Sequence, residues 1–198
     1  MKNEKFIYVL MVVAMCMLFI ILCVALASRS YAVGAGEVTW TNKMMSLHSM
    51  ADQARALGYS EDSAIIKALS NAWWQEWEDM NILAKVVHYE ADPSICEWEH
   101  SLAVAVVILN RANSEYFPNT VKGVVAAPNQ YLPAYTWGFE GTPAACYEVA
   151  RQAMDGDHDI PEDCFWQAEF PQGVKTWKIF RVDTGYYSST TYICRGIR

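Results

Sequence analysis

The sequence predicts an α+β domain, mainly helical, with a small antiparallel sheet at its C-terminal end and a long apolar segment ahead of it. Three observations predict this. Between Glu37 and Gly156, apolar residues recur at helical spacing, in segments opened by Ser, Thr or Pro and stopped by Gly. Beyond Pro161 the text changes to aromatic and β-branched runs, the signature of strands. Phe6 to Ala27 runs 22 residues without a charge.

That first segment, at about 1.5 Å per residue, is long enough for a hydrocarbon core of about 30 Å. A cleavable signal has a shorter apolar core, so length favours an uncleaved anchor. Ser30-Tyr31-Ala32 and Val33-Gly34-Ala35 nevertheless resemble cleavage sites. Residues 1–32 are therefore read as a signal-anchor or signal peptide, with the membrane engaged through residues 6–27. Lys2 and Lys5 keep the N-terminus inside and place everything after Ser28 outside.

Residues 33–80 read as a helical spacer. One helix ends at Leu57-Gly58 and a second opens at Ser60, with Glu61 and Asp62 in its first turn. Trp73, Trp74 and Trp77 on the second helix are expected to pack against a neighbouring domain rather than serve as a sugar platform. Residues 81–198 form the third unit. It begins with a short apolar helix in which Leu83, Val86, Val87 and Glu90 fall at i, i+3, i+4 and i+7. A carboxylate on a core-facing stripe has its charged form disfavoured and its pKa raised, as a general acid requires. The plain alternative is that Glu90 ends the stripe and turns to solvent. A nearly all-apolar helix from Leu102 to Leu109 follows, ending at Asn110-Arg111. These two residues are read as finishing the helix, with the asparagine satisfying backbone. Asn119-Thr120 caps a short helix closed by Pro128. Thr142-Pro143 opens another, stopped by Gly156, whose inner face is Cys146, Val149, Ala150 and Ala153. The strands are Cys164 to Phe170, Thr176 to Val182 and Tyr186 to Cys194.

The chain carries a net charge of −7, and loss of Lys2, Glu4 and Lys5 leaves the exported part more acidic still. That argues against nucleic acid, which needs clustered Lys and Arg. Cys96, Cys146, Cys164 and Cys194 make an even set in an oxidising compartment and are disulfide candidates. Pairing Cys164 with Cys194 across the sheet leaves Cys96 with Cys146. Cys16 and Cys23 lie in the apolar span. Asp155, Asp157 and Asp159 lack the glycine of a calcium loop, and no histidine has zinc-site spacing, so no metal and no cofactor is expected.

Four motifs in order, Glu90-Ala91, Leu102 to Arg111, Phe117-Pro118-Asn119-Thr120 and Pro128-Asn129-Gln130-Tyr131, resemble the cell-wall hydrolase family of spore-cortex-lytic enzymes. The similarity runs from about Leu83 to Cys194. The loop after Glu90-Ala91 departs from it, with Asp92-Pro93-Ser94-Ile95-Cys96 where the family often has Arg-Gly-Glu. Counting back from Asn110-Arg111, Glu99 matches a second acidic position. The resemblance implies a lysozyme-like fold and cleavage of peptidoglycan glycan strands at the MurNAc-GlcNAc β-1,4 bond by a lytic transglycosylase with Glu90 as acid/base. Among possible second carboxylates, Asp92, Glu97, Glu99 and Asp183, none makes a convincing nucleophile. Gln130 and Tyr131 in their turn, Glu99, and Tyr187 with Ser189 and Thr190 in the last strand segment are candidate substrate contacts, although a plain turn, a first-turn acid of the Leu102 helix and plain strand packing also account for them. Two rivals remain: a cysteine peptidase using Cys96 or Cys146 with His88 or His100, and a non-catalytic wall-binding module. The expected protein is a monomer, held at the cell membrane with its catalytic domain outside or secreted to the wall.

Overall fold

A computed structural model of the chain describes residues 40–131 and 141–197. The expected apolar span, its cleavage motifs, Cys16, Cys23 and the start of the spacer lie outside the described residues. Among those described, no helix is long and apolar enough to cross a membrane.

Five helices precede three strands: α1 (Trp40–Ala56), α2 (Ala64–Glu90), α3 (Trp98–Ala112), α4 (Val121–Val125), α5 (Ala144–Met154), β1 (Cys164–Ala168), β2 (Lys175–Asp183) and β3 (Ser188–Arg195). The α+β class is as the sequence implies. The helix bearing Glu90 is not short, however. It runs unbroken for 27 residues from Ala64, straight through the division placed between residues 80 and 81. Its N-cap also differs from expectation. Ser63, not Ser60, accepts from the Ile66 amide at 3.3 Å. Ser60 is consumed by a turn, its carbonyl accepting from the Ser63 amide, after Gly58 has reversed the chain at φ +86°.

The core is built around α3. Every residue from His100 to Leu109 is buried, because the helix is covered by α2, α4, α5 and β1. A helix that is apolar on all sides can satisfy itself only in this way. Each fully buried Val, Ile or Leu contributes about 1.5–3 kcal/mol of transfer free energy. The predicted inner face of α5 is buried as expected, with Cys146, Val149 and Ala150 at 0 % exposure. Thr120 caps α4 by accepting from the Gly123 amide at 3.0 Å.

The sheet is antiparallel with β3 in the middle, in the order β1-β3-β2. Gly173, at φ +62°, lets the β1–β2 connection return beneath β3. A Cβ there would lie 2.6 Å from the Arg195 carbonyl and from the Trp166 ring. The register corrects the disulfide expectation. Cys164 stands opposite Arg195, and Cys194 opposite Trp166, with a bulge between. Cys96, Cys146, Cys164 and Cys194 are all free thiols.

Candidate functional site

Glu90 is the last residue of α2, and its setting follows from how that helix ends. Leu83, Val86 and Val87 beneath it are fully buried, while Glu90 itself reaches the surface. The stripe therefore continues to the acid, but the carboxylate opens to solvent on one side. Protein atoms crowd its other sides, and this desolvation raises its pKa above the usual carboxylate range. The next residue, Ala91, leaves the helix with its amide still bonded to Val87 O. Its carbonyl accepts from the buried Ser101 hydroxyl of α3 at 2.6 Å. The helix end is thus pinned to the central helix of the core.

A chain of side chains leads away from the acid. Gln167 of β1 donates from Nε2 to Glu90 Oε2 at 3.4 Å and accepts at Oε1 from the Tyr131 hydroxyl, also at 3.4 Å. Tyr131 is buried, and that burial chiefly raises its pKa, with the Glu90 charge adding to the rise and Arg111 opposing it. Gln130 and Tyr131 diverge because Asn129 adopts φ 61°, a left-handed conformation that asparagine tolerates. Gln130 is exposed, and its amide oxygen accepts from Arg111 Nη1 at 2.5 Å.

Arg111 is the hub. It is only 4 % exposed, and its Nε donates to the Phe165 carbonyl at 2.5 Å. Its guanidinium lies 5.4 Å from the Phe117 ring, 5.7 Å from Trp166 and 6.0 Å from Tyr131, a cation held by carbonyls and π-faces. Asn110 does satisfy backbone, but it does not finish the helix, which runs on to Ala112; it donates instead to Pro161 O at 3.0 Å and Cys164 O at 3.1 Å. Local sequence marks Arg111 as a helix-ending residue and gives Gln167 no mark at all. Their partners lie far along the chain, so helix periodicity could not reveal them.

Three of the other four candidate acids are engaged elsewhere. Asp92 accepts from His88 Nδ1 at 2.6 Å, given the tautomer with that N–H, and from the Ser94 amide at 2.8 Å. Glu99 is ion-paired with Lys178 of β2. Glu97 occupies the N-cap position of α3 with no side-chain cap bond, and Asp183 accepts from the Gly185 amide in the β2–β3 turn. Tyr187 lies in that same turn, ahead of β3 rather than within it, and is 58 % exposed. No hydrogen bond or ion pair among the described residues joins Tyr187 or Glu99 to the Glu90 cluster. On α2, Trp73 and Trp77 stack with centroids 5.9 Å apart. Trp74 and Trp77 are exposed rather than packed over, lining a recess of about 620 Å³ with Asn71, Gln75, Glu78 and Asn81.

Residues 97–189 match the Cell Wall Hydrolase family model. That stretch contains Glu99, Arg111, Gln130, Tyr131 and Gln167 and begins after Glu90. The chain is also similar to the spore cortex-lytic enzyme of Oceanobacillus iheyensis, 43% identical over 53 residues, which cover 27% of this chain and 18% of that protein. A second similar protein is the spore cortex-lytic enzyme of Bacillus subtilis, 46% identical over 50 residues, covering 25% and 16% respectively. Each match spans less than a fifth of the relative's own length. No solved structure matches the chain. The chain thus resembles the cell wall hydrolases, as its motifs imply.

Proposed function

We propose that this chain degrades peptidoglycan by cutting the MurNAc-GlcNAc β-1,4 bond, as a lytic transglycosylase with Glu90 as its single acid/base. The observation that carries the reading is a solvent-reachable carboxyl group with a raised pKa at a pinned helix end, while Asp92, Glu99 and Asp183 each have another engagement. Protonated Glu90 donates to the glycosidic oxygen as the C1–O bond breaks. The resulting carboxylate then takes the proton of the muramic-acid 6-hydroxyl, whose oxygen closes on C1 to form a 1,6-anhydro ring. The acid is restored and no water is consumed. Gln167 steadies the carboxylate, and Gln130 and Tyr131 border the path to it. The similarity to spore cortex-lytic enzymes supports the substrate class, and helices leading into a small sheet are compatible with a lysozyme-like arrangement. In this reading residues 6–27 hold the domain at the outer face of the membrane.

The peptidase rival is disfavoured by the thiols. Burial raises the pKa of Cys96, with the Asp92 charge adding to it, and pushes that of Cys146 up to about 11. A protonated thiol is a poor nucleophile. The test is mass spectrometry of sacculi digested with the purified chain. Anhydromuropeptides are expected. New reducing ends would make it a hydrolase, new free amines a peptidase, and no product a binding module.

A further inference from the structure

We propose that His88, Asp92 and Cys146 form a site for one zinc-like divalent transition-metal ion, which fastens the loop after Glu90 to α5. One donor atom from each of the three residues can be chosen so that all lie within 4.8 Å of one another. Imidazole, carboxylate and thiolate together are the donor set of zinc and its neighbours, and disfavour calcium and magnesium, which take oxygen. The three come from rigid places. His88 is in the last turn of α2, Cys146 is fully buried on α5, and Asp92 sits in the turn between α2 and α3.

That turn is already organised around Asp92. Its side chain accepts from the Ser94 amide at 2.8 Å, and its carbonyl accepts from the Cys96 amide at 2.8 Å. Three protein donors leave the fourth tetrahedral position to a water molecule. Tetrahedral bonds of about 2.0–2.3 Å put ligand atoms roughly 3.3–3.8 Å apart. The His88 and Asp92 atoms, now 2.6 Å apart, would separate slightly while Cys146 closes in. On binding, Cys146 gives its thiol proton to solvent, and His88 keeps its ring N–H on the nitrogen turned away from the ion. The consequence is a mechanical one: the residue two positions after Glu90 becomes tied to α5 as well as to His88 of α2.

The test uses the full chain, purified in detergent without chelator from cells that export it, with metal content and thiol state both measured. The expected result is one zinc ion per chain, exchangeable for cobalt with a thiolate-to-cobalt charge-transfer band. Cys146→Ser should abolish the band, and Asp92→Asn should weaken binding by at least about tenfold. His48→Ala, on the exposed face of α1, should leave it intact. Should Cys146→Ser fail to fold, Asp92→Asn, which keeps the shape of a partly buried side chain, carries the test. Absence of bound metal, a Cys96–Cys146 disulfide in the exported protein, or wild-type metal affinity in Asp92→Asn would each overturn the proposal. All three readouts are independent of glycan cleavage.

Discussion

Replacing Glu90 by glutamine separates catalysis from folding more cleanly than any other change at this site. The side chain makes one long hydrogen bond, 3.4 Å from Gln167, and an amide oxygen can still accept it. The stability change should therefore stay within about 0.5 kcal/mol, as for a surface substitution without special partners. The direction can be worked out. Desolvation raises the folded pKa of Glu90, so its ionised form costs stability above the unfolded pKa, and glutamine removes that cost. The variant should melt at or slightly above the wild-type temperature near neutral pH. Activity should behave in the opposite way. A positioned acid/base contributes about 10²- to 10⁴-fold, or roughly 3–5 kcal/mol at about 1.4 kcal/mol per decade. Solubilisation of purified sacculi, followed alongside thermal denaturation, reads both quantities. Retention of more than a tenth of wild-type turnover in a folded Glu90→Gln protein would refute the assignment. Glu99→Gln is the internal control. Its carboxylate is committed to Lys178, so the loss should be mild, and a loss equal to that at Glu90 would argue for a two-carboxylate hydrolase.

Three further expectations concern the framework. Asp79 is buried on α2 and its pKa is pushed up to about 7, chiefly by desolvation, so stability should fall as pH rises from about 4 to about 7. Asp79→Asn should flatten that limb in denaturant titrations, by on the order of a few kcal/mol, and an unchanged slope would show the group is solvated. His100 stacks on Phe180 at 4.7 Å with both ring nitrogens unpartnered, and burial lowers its pKa to about 4. Its contribution is present above about 6.5 and lost as pH falls towards 4; His100→Phe should remove that acid limb, and acid sensitivity identical to wild type would contradict the argument. Asn110→Ala strips the donors from two carbonyls near the start of β1 and should cost about 2–3 kcal/mol, read as a fall in melting temperature of several degrees; a neutral result would mean water replaces the amide.

The parts of the fold written in local periodicity were legible. The inner face of α5 follows from Cys146, Val149, Ala150 and Ala153 at helical spacing, and all four are buried. The buried course of α3 follows from an apolar run too long for one face. Helix starts were less legible, because two serines precede α2 and only tertiary geometry decides which hydroxyl meets a free amide. Disulfide pairing failed for a related reason. Strand text placed Cys164 and Cys194 on neighbouring strands, but a single bulge changed which residues face each other.

The candidate site was legible at Glu90, Gln130 and Tyr131 but not in what joins them, because it is assembled from both kinds of information. The acid lies on a stripe that a helical wheel exposes. What surrounds it comes from contacts distant in sequence: Arg111 reaches Gln130 across 19 residues and Phe165 across 54, and Gln167 reaches Glu90 across 77. A buried guanidinium bound to carbonyls and rings orders three segments at once, the end of α3, the turn at Tyr131 and the start of β1. Loss of those bonds would free all three segments and leave Glu90 joined to the fold through Ser101 and Ala91 alone on the α3 side. On the proposed function, Arg111 is a positioning residue that bears on Glu90 through Tyr131 and Gln167. A lysine there, able to keep the charge but not the forked hydrogen bonds, should lower turnover more than it alters which glycan is accepted.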